Sequence, residues 1–170
     1  MLSEFFASLA NLMAKKNQPS QDIANNPRAR HDYLLHEQFE AGLALHGWEV
    51  KALRARRGQI KESYIILRHG EAWLVNGHIS PLETTSTHHP SDPTRTRKLL
   101  LKRKELNSLQ QAVSRKGFTV VPLSLYWSKQ WVKIKIALGK GKKKVDKREA
   151  DKEKTWRREQ ARALKNQSRH

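Results

Sequence analysis

Eight residues, Trp131–Leu138, alternate without a break. Trp131, Lys133, Lys135 and Ala137 fall on one parity, and Val132, Ile134, Ile136 and Leu138 on the other. Successive side chains of a strand point to opposite faces, so this stretch reads as a strand with an apolar inner face and two lysines toward solvent. The same period recurs elsewhere. His31–Leu45 places Tyr33, Leu35 and Phe39 on one parity and Leu34 and His36 on the other, with Gly42 marking a bulge or bend. Ser63–Arg68 and Glu71–Asn76 flank His69-Gly70, the signal for a tight hairpin. Phe118–Tyr126 is a further strand, followed by a turn over Ser128–Gln130.

Helical signals sit between the strands. Trp48, Ala52 and Leu53 share a face in a short segment that follows Gly47 and ends before Gly58. Leu99-Leu100-Leu101 opens a second helical stretch, in which Leu106, Leu109 and Val113 recur at i, i+3 and i+7, and Gly117 is placed to end it. Residues 80–94, rich in Ser, Thr, His and Pro, read as a long surface loop. The expected body is mainly β with α: about six short strands, two or three accessory helices, and glycine corners that favour a small antiparallel barrel.

Charge sets the function class. The formal net charge is +18. Residues 27–138 carry 19 basic and 9 acidic side chains, and residues 139–170 carry 13 and 5. A basic body with a more densely basic tail calls for a polyanionic partner, because each neutralised phosphate releases a condensed counterion. No run of about 18 apolar residues offers a membrane span. There is no Cys, so disulfide frameworks and thiolate metal sites are excluded. Residues 1–13 lack the positive start of a secretory signal. The second of only two Met residues is Met13, before a plain basic stretch, so translation is expected to be able to start there, leaving 1–12 as an upstream extension; a short amphipathic helix is the alternative. Three regions are expected: a flexible arm over 1–26, a body over 27–138 and a basic tail over 139–170.

Within the tail, Val145, Trp156, Leu164 and several Ala form no continuous apolar stripe, although Glu153 and Arg157 stand at helical spacing. The tail is expected to be disordered when free and helical when bound. Asp92–Lys98 packs three cations and two hydroxyls around a turn and an expected helix start, which suits either phosphate binding or an ordinary cap. Arg28, Arg30 and His31 form another basic cluster, or a solvated end. Glu40, between Phe39 and Ala41, is either a solvent-facing strand residue, an acceptor for base amino and imino groups, or an orienter of a neighbouring Arg. His78, His88, His89 and Asp92 match no metal-ligand spacing, and no phosphate loop or paired acid–base set is present. Neither catalysis nor a metal or cofactor is expected.

Several stretches together resemble the small protein B family, the SsrA-binding proteins. They are Arg28–Tyr33, Phe39–Leu43, Gly47–Lys51, Asp92–Leu101 (DPTRTRKLLL), Pro122–Trp127, and Gly139–Arg148 with Trp156. The resemblance runs from about Asn25 to Asn166. It implies an oligonucleotide-binding-type (OB-like) barrel that holds the tRNA-like domain of transfer-messenger RNA (tmRNA). It also implies a C-terminal tail that enters the vacant messenger channel of a stalled ribosome and becomes helical there, with alanyl-tRNA synthetase and elongation factor Tu as indirect partners in the cytoplasm. By position Asn26, Glu40, Leu100 and Lys133 match family RNA-binding positions, and Asp146, Lys147, Arg148 and Trp156 match the ribosome-directed tail. The candidate RNA-binding set is therefore Asn26, Arg28, Arg30, His31, Glu40, Arg95, Thr96, Arg97, Lys98, Leu100, Lys133 and Lys135. The candidate tail set is Lys142, Lys143, Lys144, Val145, Asp146, Lys147, Arg148, Trp156 and Leu164. The chain departs from the family pattern at Val145, where His is usual, and at Ala163-Leu164, where Ile-Met is frequent.

Overall fold

A computed structural model describes residues 21–83, 92–143, 152–153 and 155–160. The elements are β1 (Gln21–Asn25), α1 (Pro27–Asp32), β2 (Tyr33–Leu43), α2 (Gly47–Arg54), β3 (Gly58–Gln59), β4 (Tyr64–Arg68), β5 (Glu71–Val75), β6 (His78–Ile79), β7 (Arg97–Leu100), α3 (Arg103–Lys116), β8 (Thr119–Ser128) and β9 (Trp131–Gly141). Seven strands form one antiparallel sheet in the order β1-β8-β9-β2-β7-β5-β4, and β3 and β6 pair separately. The sheet curls until β4 packs back against β8. Among the described residues no hydrogen-bonded ladder joins those two, so the sheet is barrel-like without closing.

The local reasons are visible in the sequence. His69 and Gly70 take φ of 53° and 70°, the paired positive angles of a tight hairpin whose twist matches its strands. Leu53, Leu109, Leu125, Ile134 and Ile136 are fully buried inside the curl. α3 contributes Leu106, Leu109 and Ala112 to that core and ends at Gly117, in the left-handed conformation.

Three expectations are corrected. The Leu99–Leu101 run does not open a helix: β7 covers Arg97–Leu100, and α3 starts only at Arg103. The leucines there follow period 2, with Leu99 3% and Leu100 54% exposed, because β7 is laddered to β2 on one side and β5 on the other. The irregularity of β2 lies between Leu35 and Gln38 rather than at Gly42. Gly42 instead pairs with both Lys133 and Leu100, and a Cβ there would sit 3.4 Å from the Leu100 Cβ. Among the described residues strands number nine rather than about six, since two two-residue strands and β1 carry no period of their own.

Ala137 also differs from its parity. It shares a face with Lys133 and Lys135 yet is fully buried, because α1 lies over it and Ala29, Val121, Leu123 and Ala137 make a second small core. α1 thus covers one end of the outer sheet face and leaves the other end open.

Candidate nucleic-acid interface

Opposed residues of an antiparallel ladder share a face. The register places Lys135 opposite Glu40, and Lys133 opposite Gly42, which is in turn opposite Leu100. Lys98 stands opposite Trp73. Period 2 along β7 and β9 puts Lys98 with Leu100, and Lys133 with Lys135 and Trp131. A single outer surface across β9, β2, β7 and β5 therefore presents Trp131, Lys135, Lys133, Glu40, Leu100, Lys98 and Trp73. Trp131, 74% exposed, ends it.

Polar pairs hold this surface in shape. Glu40 Oε1 accepts from Lys133 Nζ, and its Oε2 accepts from the Tyr126 hydroxyl. The hydrogen bonds from Lys133 and Tyr126 hold the Glu40 carboxyl below its ordinary range, against a smaller opposing effect of burial. Burial, then the hydrogen bond to Glu40 and its charge, push the Tyr126 phenol up. Lys135 Nζ lies 5.8 Å from the Tyr126 ring centroid, and Lys98 Nζ lies 5.9 Å from that of Trp73 while pairing with Glu71. Both oxygens of Glu40 are therefore engaged, and the group it orients is Lys133 rather than an Arg. Tyr126 and Trp73 were not distinguishable as site residues in the sequence, because only the cross-strand register brings them to Glu40 and Lys98.

The Asp92–Lys98 segment divides. Thr96 is exposed, and Lys98 and Leu100 face outward. Arg97 is 0% exposed, with its side chain committed inward to Glu49 and to the carbonyls of Gly77, Arg95 and Pro93, so it cannot touch RNA as the sequence suggested. The reason is the strand: Arg97 has the inward parity of Leu99. Arg95 is half-buried and bonds both Glu49 oxygens, Nε to Oε1 at 3.0 Å and Nη2 to Oε2 at 2.5 Å. Burial pushes the Glu49 carboxyl up, but bonds from Arg95 and the His46 backbone, with the charge of Arg97, outweigh it and leave the group lowered.

The α1 residues form a separate cluster. Asn26 is 7% exposed, gives its Nδ2–H to the Pro122 carbonyl at 3.0 Å, and keeps Oδ1 buried without a partner among the described residues. Arg28 pairs with Glu62 at the surface, Arg30 is exposed, and His31 Nδ1 lies 3.0 Å from Asp32 Oδ1. A cleft of about 220 Å³ beside them is lined by Asn26, Arg28, Tyr33 and Tyr64. Lys142 bonds α1 twice, its N–H to the Asp32 carbonyl at 2.9 Å and its Nζ to the Arg30 carbonyl at 3.0 Å, so the tail leaves from this end.

Lys143 is exposed. Lys144, Val145, Asp146, Lys147, Arg148 and Leu164 lie outside the described residues, as do His88 and His89. Residues 155–160 form a helical stretch; Arg157 pairs with Glu153 one turn away at 2.5 Å, and Trp156 is 61% exposed. Among the described residues no three His, Cys, Asp or Glu side chains are grouped to hold a metal, and no helix is long and apolar enough to cross a membrane.

Glu40 and Glu49, two of the lowered carboxyls, set an acid limit. Each has a folded pKa below the ordinary 4.5, so its contribution is fully present above that value and is lost as pH falls through the folded pKa. The melting temperature is expected to drop on acidification below 4.5, and Glu49→Gln to flatten that acid limb in a pH series of thermal melts.

The fold and this face define a small OB-like β-barrel protein with a cationic, aromatic-bearing sheet surface, the RNA-binding class of such barrels. Comparison with known proteins narrows the class. The SmpB protein family model matches residues 23–166, and the chain belongs to that family. It is 55% identical over 155 residues to an SsrA-binding protein of Pseudomonas putida, covering 91% of this chain and 97% of that one. It is 56% identical over the same length to an SsrA-binding protein of Pseudomonas fluorescens. A solved chain from work described as "tmRNA-SmpB: a journey to the center of the bacterial ribosome" aligns with a TM-score of 0.58 and 44% identity, over 71% of this chain and 84% of that one.

Proposed function

We propose that this protein binds the tRNA-like domain of tmRNA through the barrel and delivers it to stalled ribosomes for trans-translation, in the cytoplasm. The observation that carries the reading is the outer sheet face, where Lys133, Lys135, Glu40 and Leu100 meet across three strands. Cations there neutralise phosphates, while Leu100 and Trp131 offer apolar contact to sugars and bases. Glu40 keeps Lys133 and Tyr126 at fixed positions, which limits the side-chain freedom lost on binding. Asn26, Arg28, Arg30 and His31 border this surface at α1, and Thr96 and Lys98 extend it along β7. The tail, from Lys143 onward, occupies the empty messenger channel as a helix, with Lys143, Lys144 and the Asp146–Arg148 segment toward ribosomal RNA and Trp156 and Leu164 as apolar anchors, while Lys142 anchors its base on α1. Val145 supplies apolar contact without the ring or charge of a histidine. The protein itself performs no covalent chemistry; alanyl-tRNA synthetase and elongation factor Tu act on the RNA it carries.

The test is competition between the tRNA-like domain of tmRNA and bulk tRNA across a salt series. Preference for the tRNA-like domain is expected to persist at elevated salt, since base and shape contacts do not depend on released counterions. Equal binding that collapses with salt for both would leave only a general structured-RNA binder. In the same assay Glu40→Ala is expected to weaken specific binding on the order of tenfold, because Lys133 and Tyr126 lose their shared acceptor.

A further inference from the structure

The cations that look most like phosphate ligands in the sequence, Arg95 and Arg97, face a buried carboxylate instead. Glu49 is fully buried on α2. It accepts from Arg97 Nε at 2.7 Å and from Arg95 at 3.0 and 2.5 Å, while its Oε2 also accepts the His46 N–H at 2.6 Å. Arg97 reaches the carbonyls of Gly77, Arg95 and Pro93 at 2.5, 2.9 and 3.0 Å. Arg95 reaches the Ala44 carbonyl at 3.1 Å, and the N–H of that same Ala44 bonds the Lys98 carbonyl at 3.0 Å. The network thus ties α2, the end of β2, the β5–β6 turn and the 93–96 strap to the start of β7.

β7 is four residues long, with two register pairs to β2 and three to β5. So short a ladder holds its register weakly by hydrogen bonds alone. A slip of one residue would turn Lys98 and Leu100 inward and Arg97 and Leu99 outward. The Glu49 carboxylate opposes that slip, because turning Arg97 outward removes the fully buried cation that faces a fully buried anion.

We infer that Glu49, Arg95 and Arg97 are positioning residues that key the register of β7 and so present Lys98 and Leu100 to RNA, without touching the RNA themselves. The inference rests on the RNA-binding reading of the outer face.

The experiment measures affinity for the tRNA-like domain of tmRNA over a salt series, for folded variants checked by circular dichroism. Arg95→Gln is expected to lower affinity about fivefold or more at every salt while leaving the slope of log K against log salt unchanged. Lys135→Gln, a surface cation, should reduce that slope by about 0.7–0.9. Glu49→Gln and Leu100→Ala should be non-additive when combined, whereas Glu49→Gln and Lys135→Ala should combine to within about twofold of additivity. A reduced slope in Arg95→Gln would make it a phosphate ligand and overturn the proposal. So would unchanged affinity in Arg95→Gln, or equal additivity of Glu49→Gln with Leu100→Ala and with Lys135→Ala. If Glu49→Gln does not fold, the same cycle is run with Arg95→Gln, whose side chain lies at the solvent edge. Failure of the binding reading would show separately, as loss of tmRNA preference in the wild-type chain.

Discussion

Glu49→Ala is expected to lower the unfolding free energy by about 3–5 kcal/mol. The substitution removes the acceptor of two guanidinium groups, one of them with no access to water. Arginine stays charged at any working pH, so Arg97 cannot escape by losing its proton. Its carbonyl partners satisfy some N–H groups but not the charge. Part of the core must then open or admit water. The loss is of this size because the pair is broken on one side only. Removing both charges, as in Glu49→Leu with Arg97→Met, is expected to recover most of the stability, since buried ion pairs are often matched by apolar groups of similar volume. Urea unfolding of the three proteins measures this directly. A single substitution costing less than about 1 kcal/mol would mean that the network is relaxed in solution. The double variant should still lose RNA affinity if register, rather than stability, is the role of the network.

Removal of residues 144–170 is expected to abolish tagging of stalled nascent chains while leaving specific RNA affinity within about threefold at elevated salt. The cut follows the structure. β9 pairs with β2 as far as Gly141, and Lys142 caps two carbonyls of α1, so these residues belong to the body. Beyond them residues 144–170 carry 10 basic and 5 acidic side chains. Their loss should reduce the salt slope of non-specific binding and leave the outer sheet face unaltered. Tagging in a reconstituted translation reaction, read beside RNA binding of the same preparation, separates the two. Active tagging by the shortened chain would contradict the assignment of the tail to the ribosome. Loss of specific RNA binding would show instead that tail and barrel grip one RNA together.

The elements that local chemistry dictates were legible. The His69-Gly70 turn needs positive φ at both positions, and the strands on either side alternate. Gly117 ends α3, and Leu106, Leu109 and Val113 line its inner side. The Trp131–Leu138 alternation gave the inner face of β9 without any knowledge of its neighbours. Net charge and the densely basic tail pointed to a polyanion. Each of these depends on residues within about two turns of one another, so a linear reading contains them.

The site was legible in its residue types and less so in its arrangement. Lys133 and Glu40 stand 93 positions apart and Tyr126 and Glu40 stand 86 apart, and only the pairing of β2 with β9 and of β9 with β8 brings them together. Arg95 and Arg97 carry the composition of a phosphate site, yet a carboxylate 46 and 48 residues earlier draws them inward. Leu99–Leu101 has the composition of a helix start, but two flanking strands impose period 2 on it. Ala137 has solvent-face parity, but α1 covers it. In each case intrinsic preference differs between alternatives by less than about 1 kcal/mol per residue, while burial of one charge or one apolar side chain is worth several times that. Local pattern therefore chose most of the long strands and helices, and the long-range pairing of the sheet made a strand of β7 and chose which cations meet water and which hold the barrel.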